Sequence, residues 1–218
     1  MNIVFDFGAV LFTWQPGKLL LQTFPERVAT RQDAAKLSHQ MFGHPDWHDF
    51  DRGVLAMEAV IARSASRLDL PADAMGDLVR GIGEQLVPIQ ETVALLQQLH
   101  TRRQAGEGVT GLYYLSNMPE PYARVLEAQH GFLRCFDGGI FSGDVHHIKP
   151  QPEIYELLER RYALQPARTV FIDDLAHNVE AAVARGWLGI KFESAAQVQA
   201  QLWPMLAPAV SLTPPLST

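Results

Sequence analysis

Polar side chains stand at the ends of apolar segments in four places along the chain. They are Asp6, Ser116 with Asn117, Lys149, and the adjacent pair Asp173 and Asp174. If the apolar segments are neighbouring strands of one parallel sheet, these side chains meet at a single edge of that sheet. Three carboxylates at one edge repel each other unless a cation joins them, and Mg²⁺ is a hard cation that takes oxygen ligands. A lysine, a hydroxyl and backbone N–H groups beside such an ion would form a receptor for a phosphoryl group.

The elements that must position these residues are short apolar segments alternating with helical ones. Five segments have the length and composition of strands, and four of them lack strict polar and apolar alternation, which is typical of strands covered on both faces. The alternation predicts the α/β class, with a doubly wound, Rossmann-like parallel sheet. The predicted strands are 3–7, 111–115, 139–141, 169–172 and 188–192, and the predicted helices between the later strands are 91–100, 121–129, 151–162 and 178–185.

Residues 15–88 interrupt this alternation, because they contain no convincing strand. Apolar and amphipathic stretches at 19–24, 31–42, 56–68 and 72–86 predict an all-helical cap subdomain inserted after the first strand. The α/β core then comprises residues 1–14 and 89–203, and the Pro-rich stretch 204–218 is predicted to be a loosely packed tail. Ligands of open α/β sheets bind beyond the carboxyl ends of the strands, so the inserted cap is expected to cover the site.

Composition limits the partners of this chain. The 218 residues are 47% hydrophobic and 19% charged, as in ordinary globular proteins. With 18 basic and 24 acidic residues, the net charge of −6 provides no field that attracts nucleic acid or an anionic membrane. We expect a cytoplasmic location for three reasons. The chain has one cysteine, its first residues do not resemble a signal peptide, and no apolar run approaches the ~20 residues of a membrane span. The oligomeric state stays unknown from the sequence.

The order acid, Ser-Asn, Lys-Pro and Asp-Asp, spread over nearly the whole chain, resembles the four motifs of the haloacid dehalogenase (HAD) superfamily. The resemblance is to the branch whose helical cap follows the first strand. It implies that Asp6 is the nucleophile and that Lys149 neutralises the charge of the nucleophile and the phosphoryl group. It also implies that Ser116 and the backbone of Asn117 hold the phosphate. The implied enzyme is a phosphatase of a small phosphorylated metabolite, such as a sugar phosphate, with an aspartyl-phosphate intermediate.

The same resemblance implies a Mg²⁺ site. Its ligands are Asp174 as the principal carboxylate, Asp173 directly or through water, Asp6, and the backbone carbonyl of Gly8. Typical phosphatases of the superfamily carry a second Asp, the general acid and base, where this chain has Gly8. The chain is similar to a sub-branch with an Asp-x-Gly first motif, which includes a phosphatase of a hexose 1-phosphate.

The group that protonates the leaving group is left open by Gly8. A water molecule, bound to Mg²⁺ or from bulk solvent, is the first candidate, and the substrate's own phosphate and His44 or His48 of the cap are the others. These two histidines do not predict a zinc site, because Pro45 is expected to disturb a helix between them and no further ligands are evident.

Other functions compete with the phosphatase prediction. A protein that only binds a phosphorylated ligand would explain Gly8. A hydrolytic dehalogenase would use Asp6 without a metal, but Asp173 and Asp174 argue against it. A phosphonate-cleaving relative needs a cap amine, for which Lys18 and Lys36 are the only candidates. A response-regulator receiver has its acid pair and lysine in the reverse order.

Overall fold

A five-stranded parallel sheet forms the centre of the protein. The computed structural model describes residues 1–207, and the strand order in the sheet is β3-β2-β1-β4-β5. The strands are β1 (Asn2–Phe5), β2 (Gly111–Ser116), β3 (Gly138–Phe141), β4 (Thr169–Asp173) and β5 (Leu188–Lys191). All five predicted strands are present, and the predicted α/β class with a parallel sheet is confirmed.

Strand β1 lies at the centre of the sheet because its apolar residues are covered on both faces. Ile3, Val4 and Phe5 have no exposed surface. Asn2 is in register with Gly111 of β2 and with Thr169 of β4. The residues that follow these three strands therefore emerge side by side at the carboxyl edge of the sheet.

Helices cover both faces of the sheet. Residues of the core form α6 (Gln90–Gln104), α7 (Glu120–Gln129), α8 (Pro152–Tyr162), α9 (Ala176–Ala184) and α10 (Ala195–Leu206). None of the described helices is both long enough and apolar enough to cross a membrane.

Five helices lie between β1 and α6, in the segment predicted as the cap. They are α1 (Pro16–Thr23), α2 (Arg31–Phe42), α3 (Pro45–Asp51), α4 (Met57–Leu68) and α5 (Ala72–Gln85). The two connections to the core run next to each other: Thr13 N donates to Val87 O at 2.8 Å, and Ile89 N donates to Leu11 O at 2.8 Å. The inserted segment thus leaves and re-enters the core at one place.

Helix α3 corrects the expectation that Pro45 disturbs a helix between His44 and His48. Pro45 is the first residue of α3, where a proline lacks only an N–H that has no helical partner anyway. His44 precedes it as the N-cap, and its Nδ1 accepts a hydrogen bond from Asp46 N at 3.1 Å. Pro45 therefore begins a helix and does not interrupt one.

Helix α10 corrects the predicted beginning of the tail at residue 204. The helix continues to Leu206, with Pro204 inside it. Leu202 and Leu206 are buried in the main hydrophobic core, so burial of these two leucines maintains the last turn. The rest of the predicted tail, residues 208–218, lies outside the described residues.

Candidate active site

Asp6 lies just beyond the end of β1, at the carboxyl edge of the sheet. Its backbone N–H donates to Ile172 O at 2.9 Å, which continues the pairing with β4. Its Oδ1 accepts hydrogen bonds from Phe7 N at 2.7 Å and from Lys149 Nζ at 2.8 Å. The side chain lines a cavity, and Oδ2 is the oxygen that these contacts leave free. The carboxylate is thus fixed by one oxygen and offers the other to a ligand.

Lys149 is buried between two carboxylates. Its Nζ lies 2.8 Å from Asp6 Oδ1 and 2.6 Å from Asp173 Oδ2, and only 3% of the residue is exposed. The Asn117 side chain fixes the lysine's backbone, donating to Lys149 O at 3.0 Å and accepting from Lys149 N at 2.7 Å. The ammonium also lies over the aromatic ring of Phe171, whose centroid is 5.4 Å from Nζ. The side chain of Asn117 therefore positions Lys149, whereas the sequence predicted a role only for the backbone of Asn117.

The two carboxylates that end β4 have different surroundings. Asp173 is fully buried, and its oxygens accept from Lys149 Nζ, from Leu175 N at 2.8 Å and from Asn178 Nδ2 at 3.1 Å. Asp174 is partly exposed and lines the cavity, as does Asn178. Asp174 is therefore the acid of the pair that faces a ligand, while Asp173 holds Lys149 and the start of α9.

The buried charges shift one another's protonation. Burial raises the pKa of Asp6 to about 7, with Asp173 and Asp174 adding to the rise and Lys149 opposing it. Burial also raises the pKa of Asp174. For Lys149, burial acts to lower the pKa, but attraction to Asp173 and Asp6 outweighs it and raises the pKa above its usual value. The site therefore holds a charged lysine near Asp6 and Asp174, two carboxyl groups whose ionised form is destabilised by burial.

The donor set fits a hard divalent cation. Asp6, Asp173 and Asp174 each bring a carboxylate oxygen within 4.8 Å of the others. All-oxygen donors of this kind suit Mg²⁺, and a divalent charge would offset the repulsion that raises the pKa of Asp6. Gly8, whose carbonyl was predicted as a fourth ligand, lines the same cavity.

Ser116 ends β2 on the opposite side of Asp6 from β4. It is 1% exposed and lines the cavity, as do Asn117 and Met118 directly after it. The structure thus brings together all the residues that the sequence predicted for the site. They are Asp6, Gly8, Ser116, Asn117, Lys149, Asp173 and Asp174.

Above these residues, side chains from the segment predicted as the cap line a cavity. The cavity has a volume of 610 Å³. We call its apolar lining from the cap and its connection the aromatic wall, made of Trp14, Phe42 and Trp47. The rings meet edge to face, with centroids 5.1 Å apart for Trp14 and Phe42 and 4.6 Å apart for Phe42 and Trp47. Ile82 and Leu86 of the α5 region extend this apolar surface.

The cap also places polar residues in the cavity. His48, Asp51 and Arg52 line it. His48 is one of the two cap histidines predicted as proton donors, and burial lowers its pKa. His44 does not line the cavity and instead caps α3. Asp51 was missed from the sequence, because its position over Lys149 depends on how the cap docks and no local motif marks it.

The family model of haloacid dehalogenase-like hydrolases matches residues 3–186. The chain belongs to this family. The predicted membership of the HAD superfamily is thereby confirmed, and with it the prediction that the chain is a hydrolase.

Relatives of this HAD-like hydrolase include both phosphatases and dehalogenases. The Sesquiterpene phosphatase astK of Aspergillus oryzae is 29% identical over 188 residues, covering 86% of this chain and 87% of that protein. A HAD family enzyme of Bacteroides thetaiotaomicron has a TM-score of 0.67 and 18% identity, covering 93% of this chain and 97% of that one. L-2-haloacid dehalogenase of Xanthobacter autotrophicus has a TM-score of 0.64 and 18% identity, covering 95% and 84%. The two solved structures establish the shared fold.

Proposed function

We propose that this HAD-like hydrolase is a Mg²⁺-dependent phosphatase that uses Asp6 as its nucleophile on a phosphomonoester with a large apolar group. The observation that carries the proposal is the cavity itself. We call the residues at the edge of the sheet the floor: Asp6, Ser116, Asn117, Lys149 and Asp174. The floor holds a fixed carboxylate with one free oxygen beside a buried lysine, and the aromatic wall lies on the cap side of the cavity. A phosphoryl group suits the floor, and an apolar organic group suits the wall.

Each residue of the floor has a part in the proposed reaction. Asp6 Oδ2 attacks phosphorus, because Oδ1 already accepts hydrogen bonds from Phe7 N and Lys149 Nζ. Lys149 and Ser116 hold the phosphoryl oxygens and stabilise the negative charge of the transition state. When bound by Asp6 and Asp174, Mg²⁺ supplies further positive charge for the same purpose. Asp173 and Asn117 keep Lys149 in place by the contacts given above.

The apolar substrate class is supported by the cavity and by one relative. A volume of 610 Å³ lies within the ~300–1,000 Å³ that drug-sized organic ligands occupy. The aromatic wall offers few hydrogen-bond partners for sugar hydroxyls, so its lining favours an apolar group over the sugar phosphate that the sequence suggested. The relative from Aspergillus oryzae carries the name of a sesquiterpene phosphatase, and a sesquiterpene is an apolar group of this kind.

Two alternative functions, a hydrolytic dehalogenase and a protein that only binds phosphorylated ligands, differ from the proposed phosphatase in what they require of the site. A hydrolytic dehalogenase has no need of three carboxylates that meet within 4.8 Å. A protein that only binds phosphorylated ligands has no need of a nucleophilic oxygen left free beside Lys149, but it would bind the same compounds without turning them over.

Phosphate release from a small panel tests the proposal. The panel comprises farnesyl monophosphate, octyl phosphate, p-nitrophenyl phosphate and glucose 1-phosphate, each with Mg²⁺ and with EDTA. We expect release that requires Mg²⁺, and a higher kcat/KM for farnesyl monophosphate than for glucose 1-phosphate. Asp6→Asn keeps the size of the side chain and removes the nucleophile, so it should abolish release from every compound. Thermal stabilisation by these compounds without any release would favour the binding protein instead.

A further inference from the structure

Asp51 brings a carboxyl group from the cap into the cavity that Asp6 and Lys149 share. It is the last residue of α3, and it is partly buried. Throughout residues 1–207, no group forms a hydrogen bond or ion pair with this carboxyl. Asp6, in contrast, is bonded to Phe7 N and Lys149. An acid that faces the cavity without a protein partner is free to exchange a proton with a ligand there.

The backbone around Asp51 is fixed to the core. Ser142 Oγ donates to Asp51 O at 2.5 Å, and the same hydroxyl accepts from Met118 N at 2.8 Å. His146 Nδ1 donates to Arg52 O at 2.9 Å. Met118 follows the Ser116 and Asn117 segment of the cavity floor. The end of α3 is therefore held in a defined position relative to the floor, even though it belongs to the cap.

The surroundings of Asp51 favour its protonated form. Burial raises the pKa of Asp51 well above the usual value, and the positive charge of Lys149 opposes this rise without cancelling it. Burial and the charge of Asp51 raise the pKa of Tyr122 from α7. His48 of α3 and Arg52, directly after α3, line the same cavity as Asp51. A carboxyl whose pKa is raised holds its proton more tightly than an ordinary aspartic acid, and it can donate that proton to a leaving group.

We propose that Asp51 is the general acid and base of the reaction. It protonates the departing ester oxygen and later takes a proton from the attacking water. The proposal rests on the phosphatase function proposed above. It assigns to the cap the proton transfer that typical phosphatases of the superfamily assign to an aspartate where this chain has Gly8, a residue with no side chain.

The proton balance runs through two steps. In the first, Asp6 Oδ2 forms a bond to phosphorus as the phosphorus–ester oxygen bond breaks. The electron pair goes to the ester oxygen, which takes the proton of Asp51 and leaves as the alcohol. In the second, water attacks phosphorus and gives a proton to the Asp51 carboxylate. The bond from phosphorus to Asp6 breaks, which returns the Asp6 carboxylate and releases inorganic phosphate. One water is consumed, and both acids regain their starting states.

Two substrates that differ in their need for a proton test the assignment. Octyl phosphate must leave as an alkoxide or be protonated, whereas p-nitrophenolate leaves as a stable anion. Asp51→Asn should lower kcat for octyl phosphate by about 10²- to 10⁴-fold and kcat for p-nitrophenyl phosphate by no more than about threefold. The matched control is Asp49→Asn, which removes a partly exposed acid of the same helix that pairs with Arg52 and does not itself line the cavity. It should leave both rates unchanged.

A second variant restores an acid from the core. A Cβ at Gly8 would meet only Trp14 Cβ at 3.9 Å, which is ordinary van der Waals contact, so a side chain can begin there. Adding Gly8→Asp to Asp51→Asn should recover kcat for octyl phosphate by at least about tenfold, as expected for a general acid supplied from a new position. This rescue would not follow if Asp51 only maintained the structure of the cap.

The outcomes separate the two proposals. Equal losses of kcat on both substrates, or unchanged kcat for octyl phosphate in Asp51→Asn, overturn the role of Asp51 and leave the phosphatase function intact. Wild-type protein that releases phosphate from neither substrate with Mg²⁺ contradicts the phosphatase function itself and the role of Asp51 with it. Release from p-nitrophenyl phosphate that disappears in Asp6→Asn, combined with selective loss on octyl phosphate in Asp51→Asn, supports both.

Discussion

Replacing Lys149 by methionine removes the ammonium that separates two buried carboxylates while keeping a long apolar side chain. The ammonium lies 2.8 Å from Asp6 Oδ1 and 2.6 Å from Asp173 Oδ2. Removing one partner of a buried ion pair costs about 3–5 kcal/mol, because the remaining charge has no compensation. In a chain of this length each kcal/mol changes Tm by roughly 2–4 °C, so Lys149→Met should lower Tm by roughly 6–20 °C in EDTA.

The loss should depend on pH in a defined direction. Burial and neighbouring carboxylates raise the pKa of Asp6 to about 7 in the wild type, and removal of Lys149 takes away the charge that opposes this rise. A carboxyl with a higher pKa in the folded than in the unfolded state stabilises the fold below its unfolded pKa. That contribution is lost as the pH rises through the folded pKa. The Tm difference between wild type and Lys149→Met should therefore be large near pH ~8 and small near pH ~5.

Scanning calorimetry in EDTA at both pH values measures this difference. Lys36→Met is the matched control, because Lys36 is exposed on α2 and should give the wild-type Tm. Adding Asp6→Asn to Lys149→Met should recover part of the lost stability, since one of the two repelling carboxylates is gone. If Lys149→Met unfolds at the same temperature as Lys36→Met near pH ~8, the reasoning about an indispensable buried cation is refuted.

Three further predictions concern the cap, the floor and the wall. A Cβ at Gly53 would lie 2.5 Å from Gly143 O, whereas one at Gly106, with a similar φ, meets nothing within 4 Å. Gly53→Ala should thus lower both Tm and kcat more than Gly106→Ala, as calorimetry and phosphate release would show. Asn117→Ala removes the two hydrogen bonds between the side-chain amide and the backbone of Lys149. The free energy of unfolding in denaturant titration should therefore fall by about 1–3 kcal/mol, and an unchanged midpoint would contradict this. Trp14→Ala should raise KM for farnesyl monophosphate by about 10–100-fold and leave KM for p-nitrophenyl phosphate nearly unchanged, if the wall binds an apolar group.

The sheet could be predicted because its signal is local. Strands buried on both faces are continuous apolar runs, and each of the five runs became a strand. Two helices, α3 and α10, are absent from the sequence prediction, and each contains a proline. Pro45 begins α3 and Pro204 lies in the last turns of α10, so the residue type alone did not decide between a break and a helix. Pro45 is compatible with a helix because it occupies the first helical position. The last turn of α10 persists beyond Pro204 because Leu206 is buried.

The floor of the site could be predicted for the same reason as the sheet. Asp6, Ser116 and Asp174 follow neighbouring parallel strands, so sequence position alone brings them to one edge. The walls could not be predicted, because they depend on docking of the cap against the core. Asp51 lies 45 residues after Asp6 in the sequence, and the hydrogen bond from Ser142 that places it spans 91 residues.

In the proposed reaction, the nucleophile and the proton donor belong to different parts of the fold. The floor is held by the sheet, whereas Asp51, Phe42 and Trp47 belong to the inserted segment. A movement that lifts this segment would break the hydrogen bonds from Ser142 and His146 to the end of α3, and it would remove the proposed proton donor together with these two rings. Protonation of the leaving group would then be available only while the cavity excludes water. If Asp6 is the nucleophile and Asp51 the acid, we expect cleavage of an unactivated ester to require that the cap covers the floor, and cleavage of p-nitrophenyl phosphate not to require it.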